Sequence, residues 1–181
     1  GNTGSVSVTF YAIDGCGNES TNPSTATFSI VDNIAPKINP TSSDLNVECA
    51  NVANLNNAKL QIWLTNHGNA QASDPCGSIT WTGYDWSDNQ GNSGNQNNPP
   101  TAPADNCKYV VEVTFKVADE CGNQSTTKSK FQIKDTGLPT LIGVPADVTV
   151  ECDAIPTAAN VNATDNCDTN VNVFYQETKQ N

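Results

Sequence analysis

The chain repeats itself, and this constrains its fold more than any other feature. Val8-Thr9-Phe10 followed by Asp14-Gly15-Cys16-Gly17-Asn18 returns 105 residues later as Val113-Thr114-Phe115 and Asp119-Glu120-Cys121-Gly122-Asn123. Phe28-Ser29-Ile30-Val31-Asp32 returns as Phe131-Gln132-Ile133-Lys134-Asp135, and Val47-Glu48-Cys49 as Val150-Glu151-Cys152, both 103 residues later. Asp74-Pro75-Cys76 has a counterpart in Asp165-Asn166-Cys167. A period near 100 residues is too long for a solenoid unit and suits one small domain. The 181 residues then divide into 1–35, the C-terminal part of one repeat, 36–135, a complete repeat, and 136–181, the N-terminal part of the next. Ile34-Ala35-Pro36 and Gly137-Leu138-Pro139 mark the joints. Linkers this short, stiffened by proline, predict a semi-rigid rod. The absence of methionine is what a piece cut from a longer chain would show.

Within a repeat the hydrophobic pattern has period two. Val111, Val113, Phe115 and Val117 alternate with Glu112, Thr114 and Lys116, the mark of a half-buried strand. Cys121-Gly122-Asn123 then turns the chain into a second strand through Phe131 and Ile133. Leu45 and Val47 alternate in an opening strand, Val148 and Val150 do the same in the third part, and Ile79 with Trp81 marks a middle strand. Leu55, Ala58, Leu60, Ile62, Trp63 and Leu64 read as a helix, with Asn54 as N-cap and Gly68 as its stop. The polar stretch 87–106, rich in Asn, Gly and Pro, reads as a long surface loop. Short strands with one helix at this length predict an all-β chain of tandem immunoglobulin-like β-sandwich repeats. The third part lacks the helix, because only 14 residues separate Cys152 from Cys167, against 26 between Cys49 and Cys76.

Seven cysteines in a chain this small point to an oxidising, extracellular setting and a disulfide-stapled fold. Four of them in the central repeat allow three pairings. Cys107 and Cys121 flank one strand, whose length of roughly 46 Å at about 3.3 Å per residue far exceeds the ~7 Å that a disulfide allows between Cα atoms. In a sandwich the loop before the middle strand and the last hairpin turn share one end, and the first strand's exit and the penultimate strand's entry share the other. That predicts Cys76–Cys121 and Cys49–Cys107, each worth about 3–4 kcal/mol by loop entropy. Cys16 would pair with a cysteine before Gly1, and Cys152 and Cys167 with cysteines after Asn181, a local Cys152–Cys167 bridge being the alternative. Close Cys or His pairs of zinc-site spacing are absent, and the lone His67 sits at a helix end.

The charge balance excludes other roles. Eight basic residues, all lysine, stand against 19 acidic ones, a net charge of -11. Such a chain cannot displace phosphate counterions, so nucleic acid is not its partner. No run of 18 apolar residues exists, so no membrane insertion is expected in this segment. Asp32 closes one repeat just before Pro36, and the sandwich topology brings Asp74 and Asp119 to the same joint, with Asn33 and Asn123 nearby. Asp135 and Asp165 form the equivalent set at the next joint. Carboxylates with amide and backbone carbonyls would suit Ca2+, which takes six to eight oxygen ligands. The competing explanation is that Asp and Asn cap turns through their own backbone.

Tyr84 and Trp86 fall on one face of a strand, opposite Trp81, a pair able to stack on a sugar ring if exposed and otherwise a core pair. Asn18-Glu19-Ser20, Asn123-Gln124-Ser125 and Asn162-Ala163-Thr164 match the glycosylation sequon and read as coincidence in a chain so rich in Asn, Ser and Thr. There is no nucleophile elbow, metalloprotease motif or phosphate loop, so no enzyme is expected.

Val-Glu-Cys, the helix Leu60-Gln61-Ile62-Trp63-Leu64-Thr65-Asn66-His67-Gly68, then Ser73-Asp74-Pro75-Cys76-Gly77, Thr80-Trp81, Asp119-Glu120-Cys121-Gly122-Asn123 and Asp135-Thr136 resemble, in this order, the four-cysteine HYR-like repeats of very large surface adhesins of gliding bacteria. The resemblance covers nearly the whole chain. It implies an immunoglobulin-like fold, export by the type IX system to the cell surface, and a part in surface attachment and gliding motility. The chain departs from the family pattern at Asp105-Asn106-Cys107, which follows an unusually long loop. The expected function is a structural stalk segment whose partners are adjacent repeats, with surface polysaccharide or other cell-surface proteins beyond them. The alternative is a glycan- or ligand-binding module using Tyr84 and Trp86 or the loop 87–106.

Overall fold

The computed structural model describes residues 3–49, 54–103 and 108–178. Its strands are β1 (Gly4–Phe10), β2 (Ser24–Ile30), β3 (Lys37–Ile38), β4 (Leu45–Glu48), β5 (Ala72–Ser73), β6 (Ile79–Asp88), β7 (Ser93–Asn95), β8 (Val110–Asp119), β9 (Gln124–Lys134), β10 (Thr140–Ile142) and β11 (Asn162–Thr164). The helix α1 runs Leu55–Thr65. The architecture is all-β with this one substantial helix.

The centre is a five-stranded sheet in the order β4-β9-β8-β6-β7. β8 and β9 form the long hairpin that the alternating sequence predicts, and β6 pairs antiparallel on the other side of β8. β4 joins the free edge of β9 in parallel, Leu45 opposite Phe131 and Val47 opposite Ile133. Period two puts Val111, Val113, Phe115, Val117, Phe131 and Ile133 on one face, and all six are buried. The opposite face is polar and solvent-exposed, with Lys116 paired to Asp85 at 2.5 Å and Lys128 to Glu112 at 2.8 Å.

The apolar face is covered by α1. Leu60, Trp63 and Leu64, spaced three and four apart, are its buried stripe, while Leu55 and Ile62 face out. Trp63 packs edge-on to Phe115 at 5.5 Å and tilted to Phe131 at 6.1 Å. Asn54 precedes the helix in left-handed conformation and makes no side-chain cap. The helix ends earlier than expected, at Thr65 with Asn66 as its C-cap, and a 3-10 turn, His67–Asn69, follows with Gly68 at its centre. The φ of Gly68 is +62°, and a Cβ there would meet Ser42 Cβ, Ser129 Oγ and Phe115 Cε2 at 3.0–3.2 Å. Beside it, Ser43 N–H donates to Gly68 O at 2.8 Å and Ser42 N–H to Thr127 Oγ1 at 3.0 Å. The helix and the short β3–β5 ladder therefore lie where a sandwich would place a second full sheet.

Of the stretch 87–106, the described residues 87–103 are more structured than their composition suggests. β6 and β7 form a hairpin, and the chain then crosses α1: Gln61 Nε2 donates to Pro100 O at 2.9 Å and Ala102 N–H to Asn57 Oδ1 at 3.2 Å. Side chains of α1 thus satisfy backbone groups of this stretch off the sheet. Outside the central unit, β1–β2 and β10–β11 are separate two-stranded antiparallel sheets.

Candidate functional site

The joints form at opposite ends of the β8–β9 hairpin, and the same side-chain arrangement occurs at both. At the first, Asp32, Asp74 and Cys76 bring their ligand atoms within 4.8 Å of one another. At the second, Asp135, Asp165 and Cys167 do the same. The local geometry matches position by position. Asp32 Oδ1 accepts Ile34 N–H at 3.0 Å as Asp135 Oδ1 accepts Gly137 N–H at 3.1 Å. Asp74 Oδ1 accepts Cys76 N–H, and Asp165 Oδ1 accepts Cys167 N–H, both at 2.8 Å.

Asp119 and Asn123 reach the first joint but are occupied by the turn itself. Asp119 Oδ1 accepts Cys121 N–H at 2.8 Å and Asn123 N–H at 2.9 Å, and Oδ2 accepts Asn123 Nδ2 at 2.8 Å. Asn123 Nδ2 also donates to Asp32 O at 3.2 Å, which ties the turn to the preceding segment. Asn33 is exposed, and no hydrogen bond or ligand cluster among the described residues includes it. The expected metal set thus contracts to Asp32 with Asp74 and Asp135 with Asp165. Asp74 Oδ2 is buried without a hydrogen-bond partner. A hard cation bridging the carboxylates would complete its shell with carbonyls and water. Cys76 is a poor third ligand: burial, then the charges of Asp32 and Asp74, push its thiol up, so it stays protonated near neutrality.

The turn at Asp119 has two relatives. Asp14 and Asn18 make the same bonds, Asp14 Oδ1 accepting Cys16 and Asn18 N–H at 2.9 Å and Asp14 Oδ2 accepting Asn18 Nδ2 at 2.8 Å. Asp88-Asn89-Gln90-Gly91-Asn92 does so too, with Asn92 N–H at 2.8 Å and Asn92 Nδ2 at 3.0 Å. This third copy lacks the cysteine and was hidden inside the presumed loop. The spacing D-x-x-G-N was the signal that would have found it. These bonds favour the carboxylate form. The Asn18 amide leads in holding Asp14 below the usual range, and at Asp88 and Asp119 burial opposes ionisation but the Asn, Gly and neighbouring amides outweigh it.

The disulfide expectations are corrected. Cys49 is bonded to Cys167, with Cα atoms 5.7 Å apart, rather than to Cys107, which lies outside the described residues. Cys49 N–H donates to Lys134 O at 2.8 Å, which sets it at the second joint, and Asn166 Nδ2 donates to Cys49 O at 3.0 Å. The loop that carries Cys167 is therefore delivered to Cys49 from the following segment, a contact that pairing within one closed sandwich ignores. The same bond removes both the expected pairing of Cys167 with a cysteine after Asn181 and the Cys152–Cys167 alternative. Cys76 and Cys121 are free thiols, although they share one end of the sheet as expected. Cys121 is turned to solvent, while Cys76 is half-buried beside Asp32 and Asp74.

The second joint is further fixed by Glu48, whose carboxylate accepts Thr136 N–H at 3.0 Å and Thr136 Oγ1–H at 2.6 Å. Those bonds, the side-chain one foremost, hold Glu48 below the ordinary carboxylate range.

The aromatic expectation is also corrected. A bulge between Trp81 and Gly83 shifts register, so Trp81, Tyr84 and Trp86 pair with Val117, Phe115 and Val113 on the same, covered face. Trp86 is buried and donates Nε1–H to Asn98 O at 2.8 Å. Tyr84 is half-buried against Phe115, ring centroids 5.9 Å apart. Trp81 stacks on His67 at 4.4 Å, and burial lowers the pKa of that imidazole. Trp86 is a packing group, so it and Tyr84 do not form an exposed stacking pair. No helix among the described residues is long and apolar enough to cross a membrane.

No family model matches the chain, and neither a curated protein nor a solved structure matches it.

Proposed function

We propose that this chain is a stalk segment of a repetitive cell-surface adhesin, built from immunoglobulin-like repeats and serving reach and stiffness in surface attachment and gliding. The carrying observation is the recurrence of one Asp–Asp–Cys arrangement at both ends of the central unit, in one of which a disulfide joins that unit to the next. A joint of this kind transmits load through a covalent bond instead of a flexible linker, and a disulfide persists where the surroundings are oxidising. The adhesin setting comes from the sequence resemblance to HYR-like repeats. Ca2+ at the joints belongs to the same proposal, held by Asp32 with Asp74 and by Asp135 with Asp165, where it would offset carboxylate repulsion. The glycan-binding alternative is disfavoured by the burial of Trp86 and the packing of Tyr84.

The test has two readouts. Antibodies raised against the chain should label intact cells that produce it, and a glycan array probed with the chain should stay silent. Saturable, sugar-specific binding on the array would replace the stalk with a recognition module, and labelling only after cell lysis would remove the surface assignment.

A further inference from the structure

Tension along this chain has two covalent routes past the central sheet, and one bond decides between them. Cys49 and Cys167 are joined across a sequence separation of 118, so the bond closes a loop around the 117 residues between them, 50–166. Every element from α1 to β11 lies inside that loop, including four of the five strands of the central sheet. Only β3 and β4 lie between Pro36 and Cys49. A load that arrives through Pro36 and leaves through Asp168 therefore runs along β3 and β4 to Cys49, crosses to Cys167, and never enters the loop. β4 is four residues long. A strand already rises about 3.3 Å per residue, against a limit of roughly 3.6 Å, so this route has almost no slack to give. Both sulfurs are also shielded from exchange, which needs a thiolate to reach one of them: Cys49 is 2% exposed and Cys167 4%.

The second route opens when the bond is absent. The load then enters β4 and leaves the unit through β9. These strands are parallel, Leu45 opposite Phe131 and Glu48 opposite Lys134. Tension that enters β4 at its first residue and leaves β9 at its last pulls the two strands along their length in opposite directions. The rungs between them are then loaded together rather than one by one. Lys130 N–H to Asp44 Oδ1, Cys49 N–H to Lys134 O and Thr136 N–H to Glu48 Oε1 share that load.

We propose that the Cys49–Cys167 bond is a load bypass: it carries tension around the central sheet and fixes the length to which the chain can be drawn out. Its meaning in the organism rests on the stalk reading, in which tension is the working condition. With the bond closed, α1 and the sheet hang from a taut strand and stay folded under pull. With the bond open, the β4–β9 pair resists until it shears, and the whole loop is released at once.

Single-molecule pulling on the full chain, held by handle domains fused to its two ends, tests this. The oxidised chain should draw out to about 220 Å, the contour of the 64 of its 181 residues that lie outside the 117-residue loop, at roughly 3.3–3.6 Å each. Dithiothreitol gives the bond two electrons and two protons, leaving two thiols and its own cyclic disulfide. The chain so reduced should show a force peak that the oxidised chain lacks, then lengthen by about 400 Å more in one step. Cys49→Ala/Cys167→Ala should reach that same final length whether or not it folds. An oxidised chain that yields the additional length, or a reduced chain that does not, would overturn the proposal. Release of the loop in several small steps would show that β4 and β9 do not resist as a pair, and would overturn it too. A chain that behaves as expected under pull but labels only lysed cells would keep the bypass and lose the stalk, so the two readings fail separately.

Discussion

Removing the Cys49–Cys167 bond should cost the chain more than any other small change at the joints. The bond spans a sequence separation of 118 residues. In the loop-entropy description, closing a loop of that length removes enough denatured-state freedom to stabilise the fold by about 4.9 kcal/mol at 25 °C. For a chain of this size each kcal/mol moves the melting midpoint by roughly 2–4 °C, so the double variant Cys49→Ala/Cys167→Ala should melt roughly 10–20 °C lower. Alanine is the replacement of choice because both side chains are buried, Cys49 at 2% and Cys167 at 4% exposure, and a serine hydroxyl there would need a partner. The assay is urea and thermal unfolding followed by circular dichroism on wild type, the two single variants and the double variant. If the two sulfurs share one bond, each single change forfeits all of it and the double adds little, a strongly non-additive cycle. Additive single effects would show that each cysteine has a different partner. A non-reducing peptide map should recover the Cys49 and Cys167 peptides linked, and recovery of Cys49 with Cys107 would refute the assignment outright.

Gly68→Ala should destabilise by about 1–3 kcal/mol, because the new methyl meets Ser42, Ser129 and Phe115 at 3.0–3.2 Å on a backbone at φ +62°; chemical denaturation that finds no loss would refute the packing. Asp14, Asp88 and Asp119 have folded pKa values lowered below their ordinary 3.8. Their contribution is therefore complete above about pH 4 and lost as pH falls through the folded values, which carboxyl NMR titration should show as midpoints under 3.8. Added Ca2+ should raise the melting midpoint and a chelator should lower it, with the response lost in Asp32→Asn/Asp135→Asn; identical melts with and without chelator would remove the cation from the joints.

Much of the central unit was legible because strand periodicity is local. Val111 to Val117 alternate, and the five-stranded sheet places them as the alternation says. Leu60, Trp63 and Leu64 could be read as a helix from their spacing, whereas Gly68, expected as its end, lies in the 3-10 turn that follows. The aromatic face was misread at one point only. Counting by twos puts Trp81 opposite Tyr84, but the bulge before Gly83 inserts a residue and turns all three rings inward. No local rule announces where an extra residue will be accommodated. The hairpin turn at Asp88–Asn92 is masked by its Asn, Gly and Pro composition, and only the D-x-x-G-N spacing, which lets one carboxylate accept from the Asn backbone and side chain, marks it.

The sequence by itself determined the recurrence of its blocks, the strand-rich character and the acidic residues that recur with those blocks, since each depends on residues close in the chain or on similar blocks far apart. Which sulfur meets Cys49, which aspartates keep a free oxygen, and which aromatic rings are covered were decided by the tertiary structure. Each of these depends on how separate segments converge at one end of a sheet. Asn166 reaches Cys49 and Asn123 reaches Asp32 only after the β8–β9 hairpin has set the distance between the two joints.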